Sequence, residues 1–140
     1  MLNMCKRLVL LMVVLGVSAC AVMQPKTDEE RVLALSEKRQ AALLEYDFKK
    51  AYQYMSPGYR QLNTVEKFTS DHMGVYSWES SKVLKVTCEE DICEVNVEVI
   101  FDVGMLQDAR GKKPEKFLIP RVNRETWVNL DSNWWFSKSE

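Results

Sequence analysis

The spacing of apolar residues changes once along this 140-residue chain, near Val75, and that change limits the architectures open to it. Before it, apolar side chains recur at helical intervals. After it, β-branched and aromatic residues alternate with polar ones, as strands with one buried face require. Helices followed by a meander of strands is the order of an α+β domain, in which the helices pack on one face of an antiparallel sheet.

The helical part carries its own punctuation. Thr27, Asp28, Glu29 and Glu30 have capping-box spacing, a hydroxyl at the cap and a carboxylate three positions on, with acids at the positive end of the helix dipole. A first helix is expected over 28–45, with Val32, Leu35, Ala42, Leu43 and Tyr46 as its buried stripe and Lys38, Arg39, Gln40 and Glu45 mainly outside it. Asp47 caps a second helix over 48–55, with Phe48, Ala51, Tyr52 and Met55 inward and Lys49, Lys50 and Gln53 outward. Ser56-Pro57-Gly58 reads as a stop, because proline has no donor to continue a helix. A third helix begins at Asn63 or Thr64 and ends near Met73, before Gly74.

Residues 81–88 and 93–103 form the clearest hairpin. If Cys88 lies opposite Cys93, Val86 faces Val95 and Leu84 faces Val97, while Thr87 with Glu94 and Lys85 with Asn96 share the other face. One register thus sorts aliphatics and cysteines from most polar residues, as a one-sided sheet demands. It also brings the two sulfurs within bridging distance. Residues 104–114 read as a loop, and 115–130 as a long strand with an edge or bulge at Pro120. A turn at Asp131-Ser132-Asn133 leads into a last strand over 134–136.

The first nineteen residues do not belong to that domain. Lys6 and Arg7 precede a ten-residue apolar run, 8–17, and Ser18-Ala19-Cys20 follows. The run is too short for a spanning helix, which needs ~20 residues, and the three parts together read as a signal peptide. Val17-Ser18-Ala19-Cys20 resembles the lipobox of bacterial lipoproteins. That resemblance implies a lipid on the Cys20 sulfur, cleavage between Ala19 and Cys20, and a protein held on the cell envelope by two or three acyl chains. Ala21 rather than Asp follows the cysteine, which in a Gram-negative cell points to the outer membrane, facing the periplasm. The expected layout is signal peptide 1–19, lipidated cysteine and short tether 20–27, and a single domain over 28–140.

With the signal removed, 17 basic residues stand against 20 acidic ones, interspersed, so no basic stripe for nucleic acid is present. Cys5 leaves with the signal and Cys20 carries the lipid, so Cys88 and Cys93 remain as an even pair in an oxidising compartment, which favours a disulfide. A zinc site would need further ligands, and His72 is the only histidine, so no metal or other cofactor is expected.

The run 41–60, AALLEYDFKKAYQYMSPGYR, followed by Val65-Glu66-Lys67-Phe68 and closed by the Trp-rich turn and strand from Trp127 to Phe136, resembles the nuclear-transport-factor-2-like (NTF2-like) superfamily. The resemblance covers about 28–137 and implies a cone: N-terminal helices packed on a curved antiparallel sheet. Superfamily members include isomerases, dehydratases, hydrolases, assembly subunits and non-catalytic dimers, so the fold does not choose a function.

No residue matches a catalytic motif of that superfamily. By type, the candidates for chemistry are His72, Asp102, Tyr52 and Tyr54. His72 is expected as a solvated helix-end residue, and Asp102 is expected to point outward at its strand end. Tyr52, Trp78, Phe101, Trp127 and Trp134 could line a pocket in the cone or fill it as core. The expected function is a non-catalytic envelope module that meets the membrane through its lipid and binds a protein partner, a second copy or a small apolar molecule. The alternative is a periplasmic isomerase, dehydratase or hydrolase of the cone type acting on a small apolar substrate. A convergent buried carboxylate beside Tyr or His in one cavity would favour the enzyme, and an interior filled by side chains would favour the module.

Overall fold

A computed structural model describes residues 26–74, 77–103 and 116–138 of the chain. The signal peptide, Cys20, most of the tether and the loop expected over 104–114 lie outside the described residues. Four helices, α1 (Asp28–Leu44), α2 (Phe48–Tyr52), α3 (Pro57–Leu62) and α4 (Val65–His72), precede four strands, β1 (Ser77–Glu89), β2 (Ile92–Asp102), β3 (Leu118–Leu130) and β4 (Asn133–Ser137). The strands form one antiparallel sheet in the order β1-β2-β3-β4.

The capping box of α1 is present in full: Thr27 Oγ1 accepts from the Glu30 amide and the Glu30 carboxylate accepts from the Thr27 amide. One local expectation needs correction. Ser56-Pro57 does not simply stop a helix; Ser56 caps α3 and Pro57 occupies its first turn, where a missing N–H costs nothing. Of the two starts expected for α4, Thr64 is its cap, and its hydroxyl accepts from the Lys67 amide.

The β1–β2 hairpin closes on a two-residue turn, Glu90-Asp91, with Glu90 at φ 51°. Cys88 pairs with Cys93, Thr87 with Glu94, Val86 with Val95 and Lys85 with Asn96, as the sequence requires. The register then slips: Val83, not Leu84, faces Val97, because Leu84 is the extra residue of a β-bulge and is 49% exposed. The second hairpin turns at Asp131 and Ser132, both at positive φ (52° and 64°), the geometry of a type I′ turn. Asn133 is thus the first residue of β4.

Two clusters fill the space between helices and sheet. Val32 of α1 packs on Cys93, Val95, Val97, Val99, Trp127 and Trp134. Ala42, Leu43, Phe48, Ala51, Met55 and Phe68 form the other, with Trp78 and Phe136 touching both. The outer edge of β4 is covered by the stretch after α2: the Phe136 amide donates to the Tyr54 carbonyl and the Ser56 amide donates to the Phe136 carbonyl.

Candidate functional site

The most concentrated polar chemistry in the described interior is built around Glu125, which stands on β3 two residues before Trp127 and so faces the helices with it. From α1, Ser36, Arg39 and Gln40 reach it; their i, i+3, i+4 spacing puts all three on one helix face. Ser36 Oγ donates to Glu125 Oε2 (2.8 Å) and Trp127 Nε1 donates to the same oxygen (2.9 Å). Arg39 Nη1 (2.6 Å) and Gln40 Nε2 (2.7 Å) both donate to Oε1. Glu125 is only 4% exposed and Arg39 5%.

This placement corrects the expectation for α1. Arg39 and Gln40 lie on its buried face, in phase with Val32 and Leu43, and not outside it. The arginine head also lies over the Phe136 ring, 3.9 Å from its centroid, a cation–π contact. Burial pulls the Arg39 pKa down from its ordinary value, and Glu125 opposes that pull by charge and hydrogen bond. Guanidinium stays cationic in proteins, so the pair is ionic. Among the described residues Arg39 Nε and Gln40 Oε1 find no partner.

An ionised carboxylate offers about four lone-pair positions. Four donors occupy them here, two on each oxygen. No position is left from which Glu125 could take a proton from a substrate, and a general base needs one within hydrogen-bond reach. The cluster ties α1 to β3 and holds Trp127 in place; it is not arranged for proton transfer.

The five aromatic residues considered for a pocket do not converge on one. Trp127 has no accessible surface, so it borders no space large enough for water and belongs to the core. Trp134 is 7% exposed and donates through Nε1 to Asp28 Oδ1 (3.3 Å), fastening the start of α1 to β4. Trp78 and Phe101 pack edge to face across β1 and β2, centroids 5.3 Å apart. Tyr52 sits with the second cluster, where its hydroxyl donates to the Asn63 carbonyl (2.6 Å) and so ties α2 to the end of α3. Tyr54 packs edge-on against Trp127.

The other two candidates for chemistry differ from expectation. His72 is at its helix end as expected but half-buried rather than fully solvated: its ring stacks on Phe68 with centroids 4.0 Å apart, and its Nδ1 lies 2.7 Å from the Phe68 carbonyl. Burial lowers its pKa, and the carbonyl contact only partly offsets this. Asp102 is buried, not outward, and its Oδ1 accepts from the Phe117 amide (3.1 Å), joining the end of β2 to the approach to β3. Cys88 and Cys93 are joined by a disulfide. The turn makes Glu89 and Ile92 the hydrogen-bonded closing pair, so the cysteines occupy the next, non-bonded pair, where Cα atoms come closest; here they are 4.0 Å apart. Among the described residues no group of three His, Cys, Asp or Glu side chains gathers to hold a metal.

No family model matches this chain, and no curated protein does. Solved structures are similar in fold. A SEC-C motif containing protein from Rhodopseudomonas palustris aligns at 18% identity and TM-score 0.56, with 76% of this chain on 75% of that one. Another from Psychrobacter arcticus aligns at 14% identity and TM-score 0.53 over 84% of this chain, which spans only 63% of that protein. A protein from Exiguobacterium sibiricum, described as a calcium/calmodulin-dependent kinase II association domain, aligns at 16% identity and TM-score 0.56, with 82% of this chain on 92% of that one. At such identities the likeness is one of fold. The architecture is α+β, helices on an antiparallel sheet, and these neighbours share it.

Proposed function

We propose that this chain is an envelope lipoprotein, anchored through Cys20, whose NTF2-like domain is a non-catalytic binding or assembly module. The observation that carries the module reading is the saturation of Glu125: this buried carboxylate, on the face toward the helices, gives all its acceptor positions to Ser36, Arg39, Gln40 and Trp127. The tryptophan that could have walled a substrate cavity beside it has no accessible surface. The anchor reading rests on residues 6–20 alone, where a basic pair, an apolar run and a small-small-Cys ending fall in the order that lipid attachment requires.

The test replaces the chromosomal gene with two variants. Cys20→Ser removes the lipid acceptor and should leave the protein unlabelled by a fatty-acid analogue, absent from membranes and without its cellular role. His72→Gln should keep that role, since the histidine packs on Phe68 and serves no chemistry. A folded His72→Gln protein with the phenotype of a deletion would contradict the module, and a labelled, membrane-bound Cys20→Ser protein would contradict the anchor.

A further inference from the structure

The sheet has three stretches of outer edge among the described residues, and they are treated differently. The β1 edge is broken by two bulges, at Glu79 and Leu84, and carries Lys82 and Lys85, devices that discourage pairing. The β4 edge is bonded to the segment after α2. The first half of β3 is different, because β4 pairs only with residues 126–130. Leu118 to Asn123 therefore bond to β2 on one side and have no strand of the sheet on the other.

Hairpin geometry fixes which groups face that open side. Leu130 and Asn133 close the β3–β4 turn as a hydrogen-bonded pair, so even-numbered residues of β3 direct N–H and C=O away from β2. Leu118 and Val122 thus present donors and acceptors outward. Pro120 falls on an even position, where its missing donor breaks no bond to β2. Around these groups the surface is apolar and uncovered: Phe117 is 63% exposed, Leu118 50%, Ile119 42% and Val122 58%.

We infer that this edge is a docking site for an extended, acidic and apolar peptide of a partner protein, added as a fifth strand beside β3. Charge selects the occupant. The stretch 116–124 has no acid and carries Lys116, which Glu79 pairs at 2.9 Å, with Arg121 and Arg124 on opposite faces; a second copy would set the arginines together, whereas a strand with acids on one face and aliphatic residues on the other would meet an arginine with the first and apolar side chains with the second. Glu94 and Glu98 lie one strand further in, on β2, with Glu94 at 4.0 Å from Arg124; the cations are what an added strand would meet first. A membrane surface does not fit, since it leaves open backbone groups without partners.

The site also lies at the far end of the domain from Thr27 and Asp28. Trp134 bonds Asp28 where α1 begins, and Tyr46, just past its end, meets Trp78 at the start of β1, so α1 runs from the two hairpin turns toward the β3 start. The edge is ~25–40 Å from the end that carries the tether, as ~3.3 Å per strand residue implies. This inference rests on the module reading above and names the partner's chemistry.

Hydrogen exchange resolved to single amides tests it, on the full mature lipoprotein in detergent. The probe is the capped heptapeptide Thr-Glu-Val-Glu-Val-Glu-Thr, and its control carries Lys for Glu. The Leu118 and Val122 amides should exchange fast in the free protein, beside protected Asn123 and Glu125, and should slow about tenfold with millimolar acidic peptide. The control should leave them unchanged. Arg121→Glu, at an exposed position that leaves the fold intact, should reverse the preference. Protection in the free protein at high dilution would mean that the chain covers its own edge, and protection that rises with protein concentration would mean a second copy. Either result, no slowing by the acidic peptide, or equal slowing by both peptides, overturns the proposal. Fatty-acid labelling at Cys20 and the His72→Gln phenotype do not depend on this edge, so its failure would leave the module reading standing.

Discussion

Replacing Glu125 by leucine would remove the acceptor of four donors and leave the Arg39 cation buried without its partner. Breaking a buried ion pair from one side costs about 3–5 kcal/mol, because the surviving charge is neither hydrated nor matched. Ser36, Gln40 and Trp127 lose one bond each, and every stranded buried donor adds about 1–3 kcal/mol before relaxation. These losses share one site and do not add, so about 5 kcal/mol is the working figure. That equals the lower end of the ~5–15 kcal/mol typical of a whole domain. Glu125→Leu should therefore be largely unfolded at 37 °C. Arg39→Met should lose about 3 kcal/mol, since the carboxylate keeps three donors. The double variant Arg39→Met/Glu125→Leu should be more stable than Glu125→Leu alone, because it leaves no buried charge. Urea unfolding followed by tryptophan fluorescence reads all three, with Trp127 in the cluster as reporter. A Glu125→Leu protein within about 1 kcal/mol of the parent would refute the claim that this carboxylate is a closed structural acceptor.

Three further outcomes follow from the same geometry. The disulfide closes a very short loop, so reduction should cost about 2 kcal/mol and lower Tm while leaving the domain folded at 25 °C; alkylation of unreduced, denatured protein should find no free thiol at Cys88 or Cys93. Leu84→Lys, at the bulge, should change stability by less than about 0.5 kcal/mol, whereas Val83→Ala should cost about 1 kcal/mol or more, a contrast that chemical denaturation can read and that the unslipped register reverses. Burial depresses the His72 pKa in the folded state, so the unfolded chain binds the extra proton; stability is present above the unfolded value of ~6.5 and is lost as pH falls through the folded one. His72→Gln should flatten the decline in stability between about pH 7 and pH 5.

Periodicity and turn chemistry made much of the fold legible. The box at Thr27 and Glu30, the inward set Phe48, Ala51, Tyr52 and Met55, and the pairing of Cys88 with Cys93 each follow from a local rule that the tertiary structure does not override. The interior polar cluster was illegible for a physical reason. Apolar spacing locates a buried stripe by its greasy members, and the buried face of α1 between Val32 and Ala42 is Ser36, Arg39 and Gln40. Only the partner, 85 residues or more away in sequence, makes their burial tolerable. A faint signal existed in Glu125, an acid in strand phase with Trp127. The bulge at Leu84 was hidden because Val83 and Leu84 are both apolar, so either could face Val97 by composition. The half-burial of His72 is not legible from its sequence neighbours, Asp71 and Met73, which are exposed; the contact that covers one side of its ring is its own helix's Phe68, one turn back.

The central claim, a lipid-anchored module, is tested most directly by the intact mass of the protein extracted from membranes. The account predicts a chain that begins at Cys20, lacks residues 1–19 and carries the mass of a diacylglyceryl group, with any further acyl chain on the same residue. A chain that retains residues 1–19, or a processed chain whose Cys20 has no added mass, would contradict it.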